Sequence, residues 1–156
     1  MSSYIEKLRQ RVGNELLILP SVTAIIFDEE NHVLLAKHAD TNRWVAPGGS
    51  VEPNERPADA VVREVREETG LIVEPITILG VFGGPEFEVV YSNGDRVTYV
   101  MTVYECKILG GELKPDESET VELRYVGASD LAHLDLAEWA TVVLPEVYGA
   151  RAALWR

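Results

Sequence analysis

An α+β layered domain is the fold class the sequence predicts, on three observations. Short runs rich in Val, Ile and Leu, each closed by Gly, Asn or Asp turn residues, outnumber every other pattern. One mid-chain segment, 57–69, carries apolar residues at helical spacing. Shorter helical patterns flank the two ends, so helices must cover a strand layer from outside.

Taken in order, Ser3-Tyr4-Ile5-Glu6 has the form of a capping box, and Ile5, Leu8 and Val12 follow at helical spacing with Gly13 as the stop. A helix over about 3–12 is therefore expected, packed on the body of the domain. The apolar run 16–27 reads as a strand, Asp28-Glu29-Glu30-Asn31 as a break, and 32–37 as a second strand forming a hairpin with the first. A loop over 39–43 leads through Trp44-Val45-Ala46 to Pro47-Gly48-Gly49. Ala58, Val61, Val62, Val65 and Thr69 then form one stripe, with Pro57 suited to the first helical turn and Gly70 to the left-handed residue after the last. Strands follow at 73–82 and 87–91, and Asn93-Gly94 turns into another at 97–108. Gly110-Gly111 reads as a further turn and 121–126 as a last strand. A helix over 135–144 is introduced by Asp135-Leu136-Ala137-Glu138 and ended or kinked by Pro145.

The 156 residues suit one domain spanning the chain, with a core of useful size. A formal charge of −12 argues against a surface whose main task is gripping nucleic acid or anionic lipid. A 46% hydrophobic content argues against a disordered acidic chain. A single cysteine, Cys106, excludes an internal disulfide and a cysteine zinc cluster, which fits a reducing compartment, the cytoplasm. The first eleven residues lack the apolar core of a signal peptide, and the run 16–27 is too short to span a bilayer. The N-terminal helix and that apolar run offer surfaces for a homodimer.

The chemistry concentrates in and around the segment 57–69. Counted against its apolar stripe, Glu64, Glu67 and Glu68 fall on the opposite, polar side. Like charges at such spacing repel by a few tenths of a kcal/mol per pair, roughly, on an exposed helix. They also sit toward the end of the helix where the dipole disfavours anions. Arg63 and Arg66 lie on the flanks, so nothing local offsets the repulsion. A solvated acidic face is the plainer interpretation. A hard divalent cation, which takes oxygen ligands, is the sharper one.

The flanking residues decide between them. Gly49, Glu55, Arg63-Glu64-Val65, Glu67-Glu68 and Gly70-Leu71 satisfy all nine specified positions of G-x5-E-x7-R-E-U-x-E-E-x-G-U, U being aliphatic. The chain thereby resembles the Nudix (MutT-like) hydrolases, and its strand pattern is similar to their α/β/α sandwich with a mixed sheet and a loop–helix–loop metal site. The resemblance implies that Glu64, Glu67 and Glu68 bind divalent cations, Mg²⁺ with Mn²⁺ as substitute, joined by the carbonyl of Gly48. It implies that Arg63 pairs with Glu55 or Glu52 as a brace, with Gly49 and Gly70 shaping the loops. Glu119, on the loop before a late strand, resembles the extra carboxylate that serves as ligand or general base, with Glu122 next. Catalysis is thus expected of Glu67, Glu68 and Glu119. Two positions depart from the usual pattern. Arg56 stands where a Ser or Thr cap is common, leaving the helix start to Pro57 and Asp59, and Asn54 stands where Gly is common.

The implied reaction is hydrolysis of the pyrophosphate linkage in a nucleoside diphosphate linked to a group X, an NTP, dNTP or ADP-ribose-like nucleotide sugar. The metal reconciles an acidic protein with an anionic substrate. Alternatives are pyrophosphate removal from RNA 5′ ends, which wants a basic groove, and a nucleotide-sensing module without turnover, which would be expected to have lost some of the glutamates. Signatures of the coenzyme A and NADH pyrophosphatase branches are absent, the isopentenyl diphosphate isomerase pattern differs, and Pro85 resembles a proline associated with ADP-ribose pyrophosphatases. Arg43, Trp44, Phe82 and Phe87 are the candidates for substrate contact, with His38, Tyr91 and Tyr99 as further possibilities. No separate specificity domain fits within this length, so loops must discriminate.

Overall fold

The computed structural model describes residues 2–154, with side chains through Arg151. Helix α1 spans Ser3–Val12 and stops at Gly13, as its sequence predicts, but its cap is Ser2, whose Oγ accepts from the Ile5 amide at 3.2 Å. Two adjacent serines carry the same capping chemistry, and the earlier one takes it.

Among the described residues, eight strands follow in two sheets. Strand β1 (Leu17–Ile25) lies between β4 (Gly48–Ser50), antiparallel to it, and β7 (Arg96–Gly111), parallel to it. Strand β5 (Leu71–Phe82) runs antiparallel on the far side of β7, and β6 (Glu88–Val90) pairs with the start of β7. The second sheet has the order β3-β2-β8, from Trp44–Val45, Val33–His38 and Thr120–Val126.

The hairpin expected between the first two strands exists only at its tip. Phe27 bridges Val33 and the Leu34 amide donates to Ile26, but β1 and β2 then part into different sheets. Each finds a partner from far along the chain, β7 for one and β8 for the other. The Asn93-Gly94 hairpin forms as expected. Gly110 and Gly111, expected as a turn, are instead the last residues of β7, paired with Ile72 and Leu71. The stretch expected as a strand from Phe87 starts one residue later, because Pro85–Phe87 forms a 3₁₀ turn.

Helix α2 (Pro57–Thr69) covers one face of this strand layer and α3 (Glu138–Leu154) the other. Under α2, Val61 and Val65 pack with Val22, Ala24, Leu34 and Tyr104. Under α3, Val143, Leu144 and Val147 pack with Ile25, Leu35, Met101 and Val103. The Tyr148 hydroxyl donates to the Val126 carbonyl at 2.5 Å and ties α3 to β8.

Two expectations for α3 are corrected. It starts at Glu138, not Asp135, because Asp135 is engaged elsewhere: its carbonyl accepts from the Trp44 amide and its carboxylate pairs with Arg43 at 3.5 Å. It also runs through Pro145, at the cost of one backbone hydrogen bond. The ring lies on the exposed side, and buried residues before and after it hold the helix together.

Among the described residues, no helix is long and apolar enough to cross a membrane. Cys106 is buried beneath α2, and that burial pushes its thiol up to about 12. The thiolate is the reactive form. Native protein at pH 8 is therefore expected to resist iodoacetamide over a period that fully alkylates the urea-unfolded chain, as read by mass spectrometry.

Candidate functional site

Helix α2 starts without a side-chain cap, on Arg56 in an extended conformation, with Pro57 in the first turn and Asp59 behind it. It ends at Gly70, which takes the left-handed φ of 78° and lies so close to the Glu112 carbonyl that a Cβ would overlap it. Asn54 adopts φ of 66°, the left-handed conformation that asparagine tolerates better than most residues. The segment 52–56 is thus turned tightly back against the helix it precedes.

The three glutamates are not equivalent. Glu68 does not project from the polar side. At 100° per residue it lies about 20° from Val61, on the buried stripe itself. It is 7% exposed, and the amide of Gly48 donates to its Oε2 at 3.3 Å. Burial holds its carboxyl well above the usual range, with the charges of Glu64, Glu119 and Asp116 acting in the same direction. Glu64 is largely buried too and is pushed up to about 7, chiefly by burial, against the pull of Arg63. Glu67 is the open one, with its carboxylate at the surface. Gly49 is pressed against this group, since a Cβ there would overlap the Glu64 carboxyl. A side chain there would push the Glu64 carboxylate from its present position.

Arg63 links these parts. Its Nε and Nη2 reach the two oxygens of Glu55 at 2.8 and 2.9 Å, Nη2 also reaches the Ser50 carbonyl at 3.1 Å, and Nη1 reaches Glu64 at 2.9 Å and Glu67 at 3.4 Å. A local cation does, then, offset part of the carboxylate repulsion. Its contact with Glu67 is the i, i+4 pair that helix spacing offers. Of the two expected partners, Glu55 makes the ion pair. Glu52 contributes its amide, which donates to Glu55 at 3.1 Å.

The fork from Arg63 holds the Glu55 carboxyl below its usual range. A carboxyl whose folded value is depressed adds stability above its unfolded value, near 4.3, and loses it as the pH falls through the folded value. The gap in melting temperature between wild type and Glu55→Gln is expected to be full at neutral pH and to close only as the solution is acidified below the unfolded carboxyl value.

Glu119 arrives from outside the helix. Its loop is fixed by Asp116, whose Oδ1 accepts from the Glu119 and Thr120 amides at 3.0 and 2.9 Å, and by the Ala39 amide donating to the Glu119 carbonyl at 2.8 Å. Its charge raises both Glu64 and Glu68, which places it on the same acidic field. Glu122 instead pairs with Arg124 at 2.6 Å on β8.

The donors are all oxygens, the chemistry that suits a hard divalent cation. Among the described residues no three of the acidic, histidine or cysteine side chains already close into a metal cage. Arg63 occupies one oxygen each of Glu64 and Glu67, and the charges of Glu67 and Glu119 press on Glu64.

The candidates for substrate contact separate into two kinds. Trp44 is 5% exposed, with Lys37 and Arg124 over its ring, and Phe87 lies in the core under α3. Both are core residues rather than open stacking platforms. Phe82 is partly open and stacks on Phe87 at 6.3 Å between centroids. Arg43 is half-exposed beside Asp135. Tyr91 and Tyr99 share a 2.5 Å hydroxyl contact, and Pro85 begins the 3₁₀ turn. Sequence reasoning missed Asp116, whose signal was an Asp four residues before a threonine that starts a strand, the spacing of a side chain looping back to backbone amides.

A family model for the NUDIX domain matches residues 17–147, and the chain belongs to that family. It is 33% identical over 126 residues to an ADP-ribose pyrophosphatase of Methanocaldococcus jannaschii, covering 78% of this chain and 71% of the relative. It is 41% identical over 61 residues to an RNA pyrophosphohydrolase of Halorhodospira halophila, covering 39% and 34%. A solved ADP-ribose pyrophosphatase from Streptococcus suis superposes with a TM-score of 0.64 at 31% identity, covering 85% of this chain and 91% of that one. Three curated relatives are spanned over 65%, 71% and 77% of their own lengths. The α/β/α arrangement of the strand layer between α2 and α3 is the fold that the resemblance implied.

Proposed function

We propose that this chain is a divalent-cation-dependent hydrolase that cleaves the pyrophosphate linkage of a small nucleotide, an NTP, dNTP or ADP-ribose-like nucleotide sugar. The observation that carries the reading is Glu68, a carboxylate set into the apolar stripe of α2 and approached by Gly48, Glu64 and the charge of Glu119. Burying an acid there costs stability and packs nothing better than a leucine would. A site for a hard cation gives it a use.

In this reading Glu64, Glu67 and Glu68, with the Gly48 carbonyl, would hold Mg²⁺, or Mn²⁺ in its place. Bound there, the cation supplies positive charge for the diphosphate and acidifies the attacking water. Arg63 keeps Glu64 and Glu67 aimed from one helix turn and fastens that turn to Ser50 and Glu55. Glu119, on its pinned loop, accepts the proton of the water. Gly49 leaves the room that the Glu64 carboxylate occupies. Phe82 and Arg43, open at the surface, contact the nucleotide.

A panel of NTPs, oxidised dGTP, ADP-ribose, nucleotide sugars, dinucleoside polyphosphates and 5′-triphosphorylated RNA, each with Mg²⁺ or Mn²⁺, tests the reading by product mass. AMP from ADP-ribose, or NMP with pyrophosphate from an NTP, is the expected kind of product. No turnover of any member overturns it in favour of a sensing module, and turnover of the RNA alone replaces the small nucleotide with an RNA end.

A further inference from the structure

Strand β4 is three residues long, and each of them meets one member of the group around the acidic site. The Gly48 amide donates to Glu68 at 3.3 Å, Gly49 lies against the Glu64 carboxyl, and the Ser50 carbonyl accepts from Arg63 at 3.1 Å. Where β4 stands therefore bears on all three. Yet it lies at the edge of its sheet, paired with β1 alone. Two of its residues are glycines, so Ser50 carries the one side chain by which this strand can be fastened.

Register shows what receives that side chain. Successive residues of a strand face opposite ways. Gly49 faces Glu64 on α2, so Ser50 faces away from that helix. Ser50 stands beside Ser21 of β1, and Tyr99 of β7 stands beside Leu19, two residues earlier on the same side of β1. The Tyr99 phenol reaches over β1, hydrogen-bonds the Ser50 hydroxyl, and meets the Tyr91 hydroxyl at 2.5 Å. Burial chiefly pushes this phenol up, with Tyr91 acting in the same direction and Ser50 against it. The order of donation follows: Ser50 donates to Tyr99, and Tyr99, protonated at neutral pH, donates to Tyr91.

The far end of this line is held as well. The Tyr91 amide donates to the Asp95 carbonyl at 2.9 Å, and the Asp95 carboxylate faces Arg9 of α1 at 3.6 Å. Arg9 is itself pinned, donating to the carbonyls of Gly13, Glu15 and Arg96 at 3.0, 2.6 and 2.7 Å. Polar contacts thus run from the N-terminal helix through the 91–96 hairpin to the edge strand at the site.

We propose that Tyr99 is a positioning residue, which through the Ser50 hydroxyl fixes β4 against Arg63 and so aims Glu64 and Glu68 at a divalent cation. The part concerning the cation rests on the hydrolase reading above, whereas the hold on Arg63 does not. In heteronuclear NMR without added metal, the Arg63 Nε–H signal is expected to shift and to exchange faster with water in Tyr99→Phe and in Ser50→Ala. Mn²⁺ affinity, read by electron paramagnetic resonance, is expected to fall roughly three- to ten-fold in each, less than the about 10–100-fold typical of a partner bonded directly to a metal ligand. A loss of global stability alone moves neither quantity in the folded protein. The double variant is expected to lose no more than either single one, since both cut the same link. Ser50→Thr, which keeps the hydroxyl, is expected to match the wild type.

An unchanged Arg63 signal in both single variants overturns the proposal, and so does an Mn²⁺ affinity equal to that of a metal-binding wild type. Losses that add in the double variant, or a Ser50→Thr protein as weak as Ser50→Ala, overturn it too. Shifted Arg63 signals in a chain that binds no Mn²⁺ in any form, wild type included, support the hold of Tyr99 on Arg63 and overturn the metal reading instead.

Discussion

Glu68→Gln is expected to remove nearly all turnover while leaving the melting temperature at or above that of the wild type. The two effects have one origin. Burial raises the Glu68 carboxyl strongly, so its ionised form is held at a cost to the folded state. Glutamine keeps the shape and an oxygen for the Gly48 amide but removes the charge. A loss of about 10²-fold or more in kcat is the scale seen when a preorganised electrostatic group is deleted from a site. Added Mn²⁺ is expected to raise the melting temperature of the wild type and to do so far less in the variant. Wild-type turnover in purified Glu68→Gln protein would remove this carboxylate from the reaction.

Arg63→Ala is expected to have the largest effect on stability. The side chain bonds two oxygens of Glu55, one of Glu64, one of Glu67 and the Ser50 carbonyl. Deleting one partner of a fully buried ion pair costs about 3–5 kcal/mol. Arg63 is 30% exposed, and water entering the gap screens what remains, which lowers the figure to about 2–3 kcal/mol. Urea unfolding would read this as a lower midpoint, and heating as a fall of roughly 5–10 °C. Arg63→Lys keeps the charge but cannot reach both Glu55 and the helix turn with one planar fork, so it should recover only part of the loss. Full stability in Arg63→Ala would mean that the loop is held by other contacts.

The readability of the sequence followed the distance over which each signal acts. Helix α1, the start and stop of α2 and the Asn93-Gly94 turn were all legible, because caps, proline and glycine work within a few residues. Strands β1 and β2 were legible as strands but not as members of different sheets, since the choice depends on β7 and β8, which the run 16–37 does not contain. The helix through Pro145 was lost for the same reason: Val147 and Tyr148 hold it by packing on distant strands. At the site, the motif located Glu64, Glu67 and Glu68 but misjudged the setting of Glu68, which a careful count of 100° steps from Val61 would have placed among the apolar residues. The pairing of Arg63 with Glu67 was legible as an i, i+4 contact, whereas its reach to the adjacent Glu64 was not. Trp44 and Phe87 look like any exposed aromatic in sequence, and only the layers around them make them core.

The parallel pairing of β1 with β7 bears on how the chain is made. Its partners stand about 80 residues apart, and the same pairing leaves the whole nine-position motif between them in sequence. Everything up to Leu71 can leave a ribosome, complete in its motif, with only the three-residue β4 as a neighbour for β1 until Val97–Glu105 emerges. Through that interval α2 can cover Val22 and Ala24, but Ile25 on the opposite face has nothing to cover it until Met101, Val103 and α3 follow. Long-range closure of this kind slows folding and lengthens the time in which unpaired strands can meet other chains. The yield of active protein should therefore depend on synthesis temperature and holdase capacity more steeply than the stability of the finished fold would suggest.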